Sequence, residues 1–352
     1  MNVGVVGTGV IAHNYVKGSA AFPGFEIVAC ADLRSATAAA FGAEYGLRVL
    51  TTDELLADPD IDLVLSLTPP EAHADVARAA FAHAKHVYTE KPLAAEVGPA
   101  QRLVKEAAAR GVRLGCAPDT FLGSPYQLGR EVIERGDIGE PLGATATFLV
   151  GGPDNWHPNA DMFYRPGGGP LLDIGPYYLT AVAALLGSFA AATGVASTPT
   201  PRRTLGVGPR AGEEFDVDVP THVSALLELE SGALVTLTVS FEAREQYESS
   251  LVVYGTEGTL ELPDANAFDG EVRLRVGRGD RETLAYAPSA SDTRGIGLQD
   301  LADALQAGRP HRASGELGLH VLETAHAILR SVDKGRTVPI ESRVPAVPTP
   351  TR

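Results

Sequence analysis

The stretch that decides the fold is Asn2-Val3-Gly4-Val5-Val6-Gly7-Thr8-Gly9-Val10-Ile11-Ala12, a strand-like apolar run that breaks into GxGxxA and opens a helical pattern. Gly7 permits a tight turn, Gly9 lets a pyrophosphate approach the backbone, and Ala12 keeps helix and strand close. The backbone from Thr8 through Val10 and Ile11 then presents unbonded N–H groups to an anion. A glycine turn alone is weak evidence, and a purely structural strand–helix turn is the alternative. Context sharpens the reading, because Asp32 ends the second apolar run at about the 20-residue spacing at which a carboxylate accepts ribose hydroxyls. That carboxylate would repel a 2′-phosphate, which favours NAD. Arg34, two residues on, could accommodate the phosphate and keeps NADP open.

Outward from this element, short apolar runs alternate with amphipathic stretches. Strands are expected at 2–6, 26–31, 63–67, 85–88 and 112–116, and helices near 11–21, 36–45, 71–83 and 97–110. Such alternation predicts a doubly wound parallel sheet with helices on both faces. After Cys116 the pattern changes. A helix near 125–135, a strand near 143–150, a Gly/Pro-rich loop from 151 to 170 and a helix over 171–186 precede a run of strands. Ser231-Gly232 reads as a two-residue hairpin turn between 222–230 and 233–240. Helices return near 298–305 and 316–332, with Ser314 as cap and Gly335 as stop. The expectation is an α/β protein: a dinucleotide-binding domain over 1–118, an α+β domain with a large, mostly antiparallel open sheet over 119–340, and a loosely ordered Pro-rich tail over 341–352.

Composition narrows the function classes. The 352 residues carry 44 acids against 29 bases, a net charge of −15, and no basic patch interrupts this balance. Such a surface repels phosphate backbones and anionic lipid, so neither nucleic acid nor membrane is an expected partner. No apolar run reaches the roughly 18 residues a membrane helix needs. Cys30 and Cys116 sit in no CxxC pair and read as small buried side chains of a reducing, cytoplasmic compartment. Lysine is scarce: only Lys17, Lys85, Lys91, Lys105 and Lys334 occur.

Three further segments carry chemistry. Thr68-Pro69-Pro70 with His73, and Glu90-Lys91-Pro92, follow strands at the carboxyl edge where such sheets bind ligands. His73 either borders the cofactor or caps a helix. Glu90 and Lys91 stand beside the cofactor, and the Lys91 ammonium could stabilise charge on a substrate oxygen; a surface lysine in a turn is the plain alternative. Gly167-Gly168-Gly169-Pro170-Leu171-Leu172-Asp173-Ile174-Gly175-Pro176-Tyr177 places Asp173 and Tyr177 four residues apart, on one helix face. A carboxylate can orient a hydroxyl whose proton the phenol relays, given a cation to help it ionise. From the residues alone, a cap acid and a core aromatic are the favoured reading. Trp156, His157 and Tyr164, in the loop before, suit sugar faces and hydroxyls or a packed loop. His83 and His86 lack a third ligand, so no metal is expected.

GTGVIA at 7–12, Asp32, TPPEAH at 68–73, EKP at 90–92 and GGGPLLDIGPYYL at 167–179, in this order, resemble the Gfo/Idh/MocA oxidoreductases, the family of glucose–fructose oxidoreductase and inositol dehydrogenase. The resemblance implies a Rossmann domain followed by an α/β domain whose open sheet forms an oligomer interface, here a homodimer or homotetramer. It also implies that Lys91 is the catalytic lysine and that Asp173 lines the substrate pocket. Many members carry DxGxH, and here Tyr177 stands at the histidine position; some relatives use tyrosine there. Glu71 replaces a common asparagine. The expected activity is hydride transfer between a secondary alcohol of a sugar or cyclic polyol and NAD. An NAD-dependent glycoside hydrolase of the same fold and a non-catalytic NAD-binding sensor are the alternatives.

Overall fold

The computed structural model describes residues 1–244 and 247–345. The expected loose tail falls, from residue 346 on, outside the described residues. The chain divides into two compact units, one of Met1–Gly123 with Pro288–Leu322 and the described end at Val344 and Pro345, the other of Ser124–Ala287 with Glu323–Arg343.

In the first unit β1 (Asn2–Val6), α1 (Val10–Ser19), β2 (Glu26–Ala31), α2 (Ser35–Tyr45), β3 (Arg48–Val49), α3 (Thr52–Ala57), β4 (Leu63–Ser66), α4 (Pro70–Ala82), β5 (His86–Thr89), α5 (Val97–Arg110) and β6 (Leu114–Cys116) follow in order. All six strands are parallel, in the order β3-β2-β1-β4-β5-β6. Chain order reverses between β1 and β4, which opens the crevice where such sheets take ligands. Leu63, Val64, Leu65 and Ser66 are all fully buried, as a strand covered on both faces requires. Helix α5 shows the helical counterpart, burying Ala100, Leu103 and Ala107 on one stripe. Sequence reading passed over β3 and α3. The signal was present in Thr51 and Glu54, which form a reciprocal capping box at the start of α3. Helix α9 (Ile296–Ala307) belongs to the same unit.

The second unit begins with α6 (Ser124–Glu134) and β7 (Pro141–Leu149), then the 151–168 loop, α7 (Gly169–Asp173) and α8 (Gly175–Leu186). Strands β8 (Phe189–Ser197), β9 (Arg202–Thr204), β10 (Glu214–Asp216), β11 (His222–Leu229), β12 (Leu234–Ser240), β13 (Glu248–Gly255), β14 (Gly258–Leu262), β15 (Val272–Val276) and β16 (Glu282–Leu284) follow. Helix α10 (Gly315–Lys334) and β17 (Val338–Pro339) close the chain's described structure. Nine strands form one sheet in the order β16-β15-β14-β13-β7-β12-β11-β8-β17, and β12–β7 is its one parallel pair among the described residues. Strict alternation along β11 turns Val223, Ala225, Leu227 and Leu229 inward. The β11–β12 connection holds Glu230 to Ala233 rather than two residues, with Gly232 at φ +88°.

The single helix expected over 171–186 is two helices. Pro176 has no N–H to give the carbonyl of Leu172, and Gly175 beside it disfavours continuation, so α7 ends and α8 restarts across Ile174. Asp173 therefore closes one helix and Tyr177 lies in the first turn of the next.

Candidate active site

Gly7 leaves β1 at φ +95°, and a Cβ built on it would lie 2.7 Å from the Leu67 main chain that follows β4. Backbone conformation and close approach both require glycine there. Gly9 differs: it is exposed, and nothing lies within 4 Å of where a Cβ would stand. Helix α1 starts at Val10 with no side-chain cap, so its first N–H groups face the open side of the turn.

Asp32 is tied to that turn. Its Oδ2 accepts from the Thr8 N–H at 2.9 Å and from Thr8 Oγ1 at 3.0 Å, while Oδ1 accepts from the Arg34 N–H at 2.9 Å. Burial pushes the carboxyl up, but these donors and the Arg34 charge together hold it below the usual carboxylate range. Asp32 is thus an anion at neutral pH. The Arg34 guanidinium is largely exposed, with Nε 3.6 Å from Asp32. Two apolar side chains also stand on this rim, Val10 at 82% and Leu33 at 101% exposure. Leu33 was missed in the sequence, although an apolar residue directly after the strand-ending acid was a readable signal. An open glycine turn, an uncapped helix start and a fixed carboxylate suit the pyrophosphate and ribose of a dinucleotide.

The second cluster of the unit joins the loops after β4 and β5. Thr68 is half-buried and Pro69 exposed at the head of α4. His73 is buried, its Nδ1 lying 2.7 Å from the Pro92 carbonyl and its Nε2 2.8 Å from that of Thr68. Both partners are acceptors, which favours the charged ring, yet desolvation outweighs them and lowers its pKa. His73 therefore stands between two ligand-edge loops, and its neutral ring has one N–H to donate to one of the two carbonyls, the other nitrogen lying against the second. Glu90 is buried as well. Its Oε1 accepts from the Tyr15 hydroxyl at 2.9 Å and its Oε2 from the Lys91 N–H at 3.0 Å. Lys91 is half-buried and joined to Pro92 by a cis peptide bond.

In the second unit the 151–168 loop is built around an arginine that sequence reading did not single out. Arg203, on β9, has a side chain only 1% exposed. Its Nη1 donates to the Gly151 carbonyl at 2.9 Å and to Asp154 at 2.8 Å; its Nη2 donates to the Phe241 carbonyl at 2.6 Å and pairs with Glu242 at 3.0 Å. Burial would push the Glu242 carboxyl up, but the Thr221 and Thr200 hydroxyls and Arg203 hold it low. No local pattern announces this set, because its members are brought together only by the fold. Tyr164, expected at the substrate, is fully buried: its hydroxyl donates to Asp154 and its ring lies 5.0 Å from the Arg203 guanidinium. Its polar tip is spent inside the protein, and it holds the loop from beneath. Trp156 is 68% exposed, edge-on to His157, which in turn meets Phe163 edge-on.

The three glycines before α7 have a shape-based reason. Gly167 and Gly169 take φ of +91° and +83°, and a Cβ on Gly168 would lie 2.4 Å from the Phe163 carbonyl oxygen. Beyond them Asp173 is half-buried and Tyr177 buried. Within the first unit the structure thus gathers Gly7, Thr8, Asp32 and Arg34, and alongside them Thr68, His73, Glu90 and Lys91. Within the second, Trp156, His157 and Tyr164 share one loop, while Asp173 and Tyr177 flank the α7–α8 junction.

Residues 1–117 match the family model described as oxidoreductase family, NAD-binding Rossmann fold, and residues 126–261 match the GFO/IDH/MocA C-terminal domain. The chain is 27% identical to 1,5-anhydro-D-fructose reductase of Ensifer adhaerens, over 96% of this chain and 98% of that protein. It is 31% identical to dTDP-3,4-didehydro-2,6-dideoxy-alpha-D-glucose 3-reductase of Streptomyces antibioticus, over 75% of this chain and 76% of that one. An NAD binding oxidoreductase from Klebsiella pneumoniae superposes with a TM-score of 0.85 at 26% identity, covering 97% of this chain and 99% of the other.

Proposed function

The chain belongs to the Gfo/Idh/MocA oxidoreductases, and from that premise we propose that it transfers hydride between a secondary alcohol of a sugar or cyclic polyol and NAD. The observation that carries the cofactor half is the Asp32 carboxylate fixed on the open glycine turn. A carboxylate has about four lone-pair sites, so the three donors already on Asp32 leave about one for a ribose hydroxyl. The turn of Gly7, Thr8 and Gly9, with the first N–H groups of Val10 and Ile11, would hold the pyrophosphate. Leu33 would offer its exposed apolar side chain to the adenine, and Thr68 and Pro69 would border the nicotinamide. Arg34 gives NADP a second-best hold.

Bound NAD supplies the hydride acceptor. The rest of the chemistry falls to side chains. Lys91 donates to the substrate oxygen and stabilises the alkoxide charge that develops there as the hydroxyl proton leaves. Tyr177 takes the hydroxyl proton as the general base. Asp173 and His157 hold neighbouring hydroxyls, and Trp156 covers an apolar sugar face. A homodimer or homotetramer would form through the exposed face of the nine-stranded sheet, where Val195, Leu226 and Tyr254 stand in solvent. The two unpaired, buried cysteines fit a reducing cytoplasm.

The test is an absorbance screen at 340 nm over sugars, inositols and sugar acids with NAD and NADP. NADH should accumulate on at least one of them, faster than NADPH. Cleavage of an aryl glycoside without net NADH would assign the glycosidase activity instead. Tight NAD binding with no turnover across the panel would make the protein a sensor.

A further inference from the structure

We propose that Tyr15 is a positioning residue for Lys91, acting through Glu90. The inference rests on the reading of Lys91 as the group that meets substrate. Tyr15 lies on the inner side of α1, six residues past Gly9, and is fully enclosed. Phenylalanine would fill the same space without burying a hydroxyl, and a buried hydroxyl is costly unless it is bonded. Here it donates to Glu90 at 2.9 Å. Burial, and then the charges of Glu90 and Asp119, keep the phenol protonated and therefore a donor. The other Glu90 oxygen takes the main-chain N–H of Lys91 at 3.0 Å. A continuous link thus runs from α1 through a phenol and a carboxylate to the backbone of the lysine.

The turn is held from its other side too, where His73 on α4 reaches the Pro92 carbonyl at 2.7 Å. Glu90 to Pro92 is consequently clamped by two buried side chains, one from each helix that starts at the ligand edge beside the switch point. Helix α1 is also the helix that the glycine turn opens. The cradle for the pyrophosphate and the main chain of Lys91 are therefore braced on one strut, so that each is placed relative to the other before any substrate arrives.

The experiment compares the full-length wild type with Tyr15→Phe, Lys91→Met and Tyr126→Phe. The last removes the phenol bond of another buried tyrosine, to the Pro263 carbonyl at 2.8 Å in the second unit, and controls for lost stability alone. Hydrogen exchange by mass spectrometry follows the amides of residues 88–93, and steady-state kinetics use the panel sugar with the highest turnover. Tyr15→Phe should raise exchange at residues 90–91 about tenfold and lower kcat on the order of tenfold, leaving KM and the Kd for NAD within about twofold. Tyr126→Phe should do neither. Unchanged exchange at 90–91 overturns the link. Faster exchange with unchanged kcat, while Lys91→Met is inactive, overturns the positioning role. Unchanged turnover in Lys91→Met overturns the reading of the lysine, and with it the positioning role, whatever the exchange shows. If Tyr15→Phe fails to fold, Glu90→Gln tests the same link, since one amide oxygen cannot serve both donors as the carboxylate does.

Discussion

Replacing Arg203 by Met is the sharpest test of how the second unit is held. The substitution keeps an unbranched side chain of similar reach and removes the charge with all its donors. Losing one partner of a buried ion pair costs about 3–5 kcal/mol, because the remaining charge is left without compensation. Here the remaining charges are Asp154 and Glu242, with side chains 12% and 13% exposed. Neither is abandoned entirely: Asp154 keeps the Tyr164 hydroxyl, and Glu242 keeps those of Thr200 and Thr221. The main-chain carbonyls of Gly151 and Phe241 lose their donor, which adds to the loss. These terms place the expected cost near the lower bound, about 3 kcal/mol, or roughly 6–12 °C in Tm for a unit of this size.

The chain supplies its own probe. Trp156 is the sequence's single tryptophan and lies two residues beyond Asp154, on the loop that Arg203 fastens. Urea unfolding followed by its fluorescence reads the stability of that unit, and acrylamide quenching in native buffer reads the loop. Arg203→Met should lower the unfolding midpoint and increase quenching. Adding Asp154→Asn should cost less than the sum of the two single changes, since it removes a charge already stranded. A loss below about 1 kcal/mol, the worth of an exposed pair, with quenching unchanged, would refute the reasoning.

Three further outcomes follow from the first unit. Lys91→Met should lower kcat by about two to three orders of magnitude, the usual loss for a donor to developing charge, while calorimetry shows NAD binding nearly unchanged. Asp32→Ala should weaken NAD by about 10- to 100-fold, the worth of a charged hydrogen bond, and weaken NADP less, since Arg34 then faces the 2′-phosphate unopposed. Equal losses for both cofactors would argue against Asp32 at the ribose. Burial lowers the pKa of His73 and, more than its charged neighbours, that of His311, so both rings stay neutral in the fold where an unfolded histidine protonates near pH 6.5. As pH falls below about 6.5 the unfolded chain binds more protons than the fold, and stability drops by up to about 1.4 kcal/mol per pH unit for each ring, until the folded pKa is passed. Denaturation midpoints between pH 7.5 and 5 check the sign, and His311→Gln should flatten the slope.

The sequence by itself determined the features that repeat over short distances. Apolar runs buried on both faces, such as Leu63 to Leu65, declared the parallel sheet, and Gly7-Thr8-Gly9 declared the tight turn from β1 into α1, because a turn and a strand obey local rules. The close packing that the triple glycine serves, Gly168 against the Phe163 main chain, came only from the structure. Local pattern failed where two signals competed: the apolar run through 171–186 hid the break that Gly175 and Pro176 impose. Only the tertiary structure decided how the polar groups pair. Tyr15 meets Glu90 across 75 residues of chain, His73 meets Pro92 across 19, and Arg203 meets Asp154 across 49. Each is a charge or hydroxyl taken out of water that has to be matched at hydrogen-bond distance. No propensity or periodicity encodes that match, which arises only when the packed elements bring donor and acceptor together. It also moved Tyr164 from a surface for substrate to a support beneath the loop, since Leu205, Phe215 and Phe241, distant in the chain, pack with it.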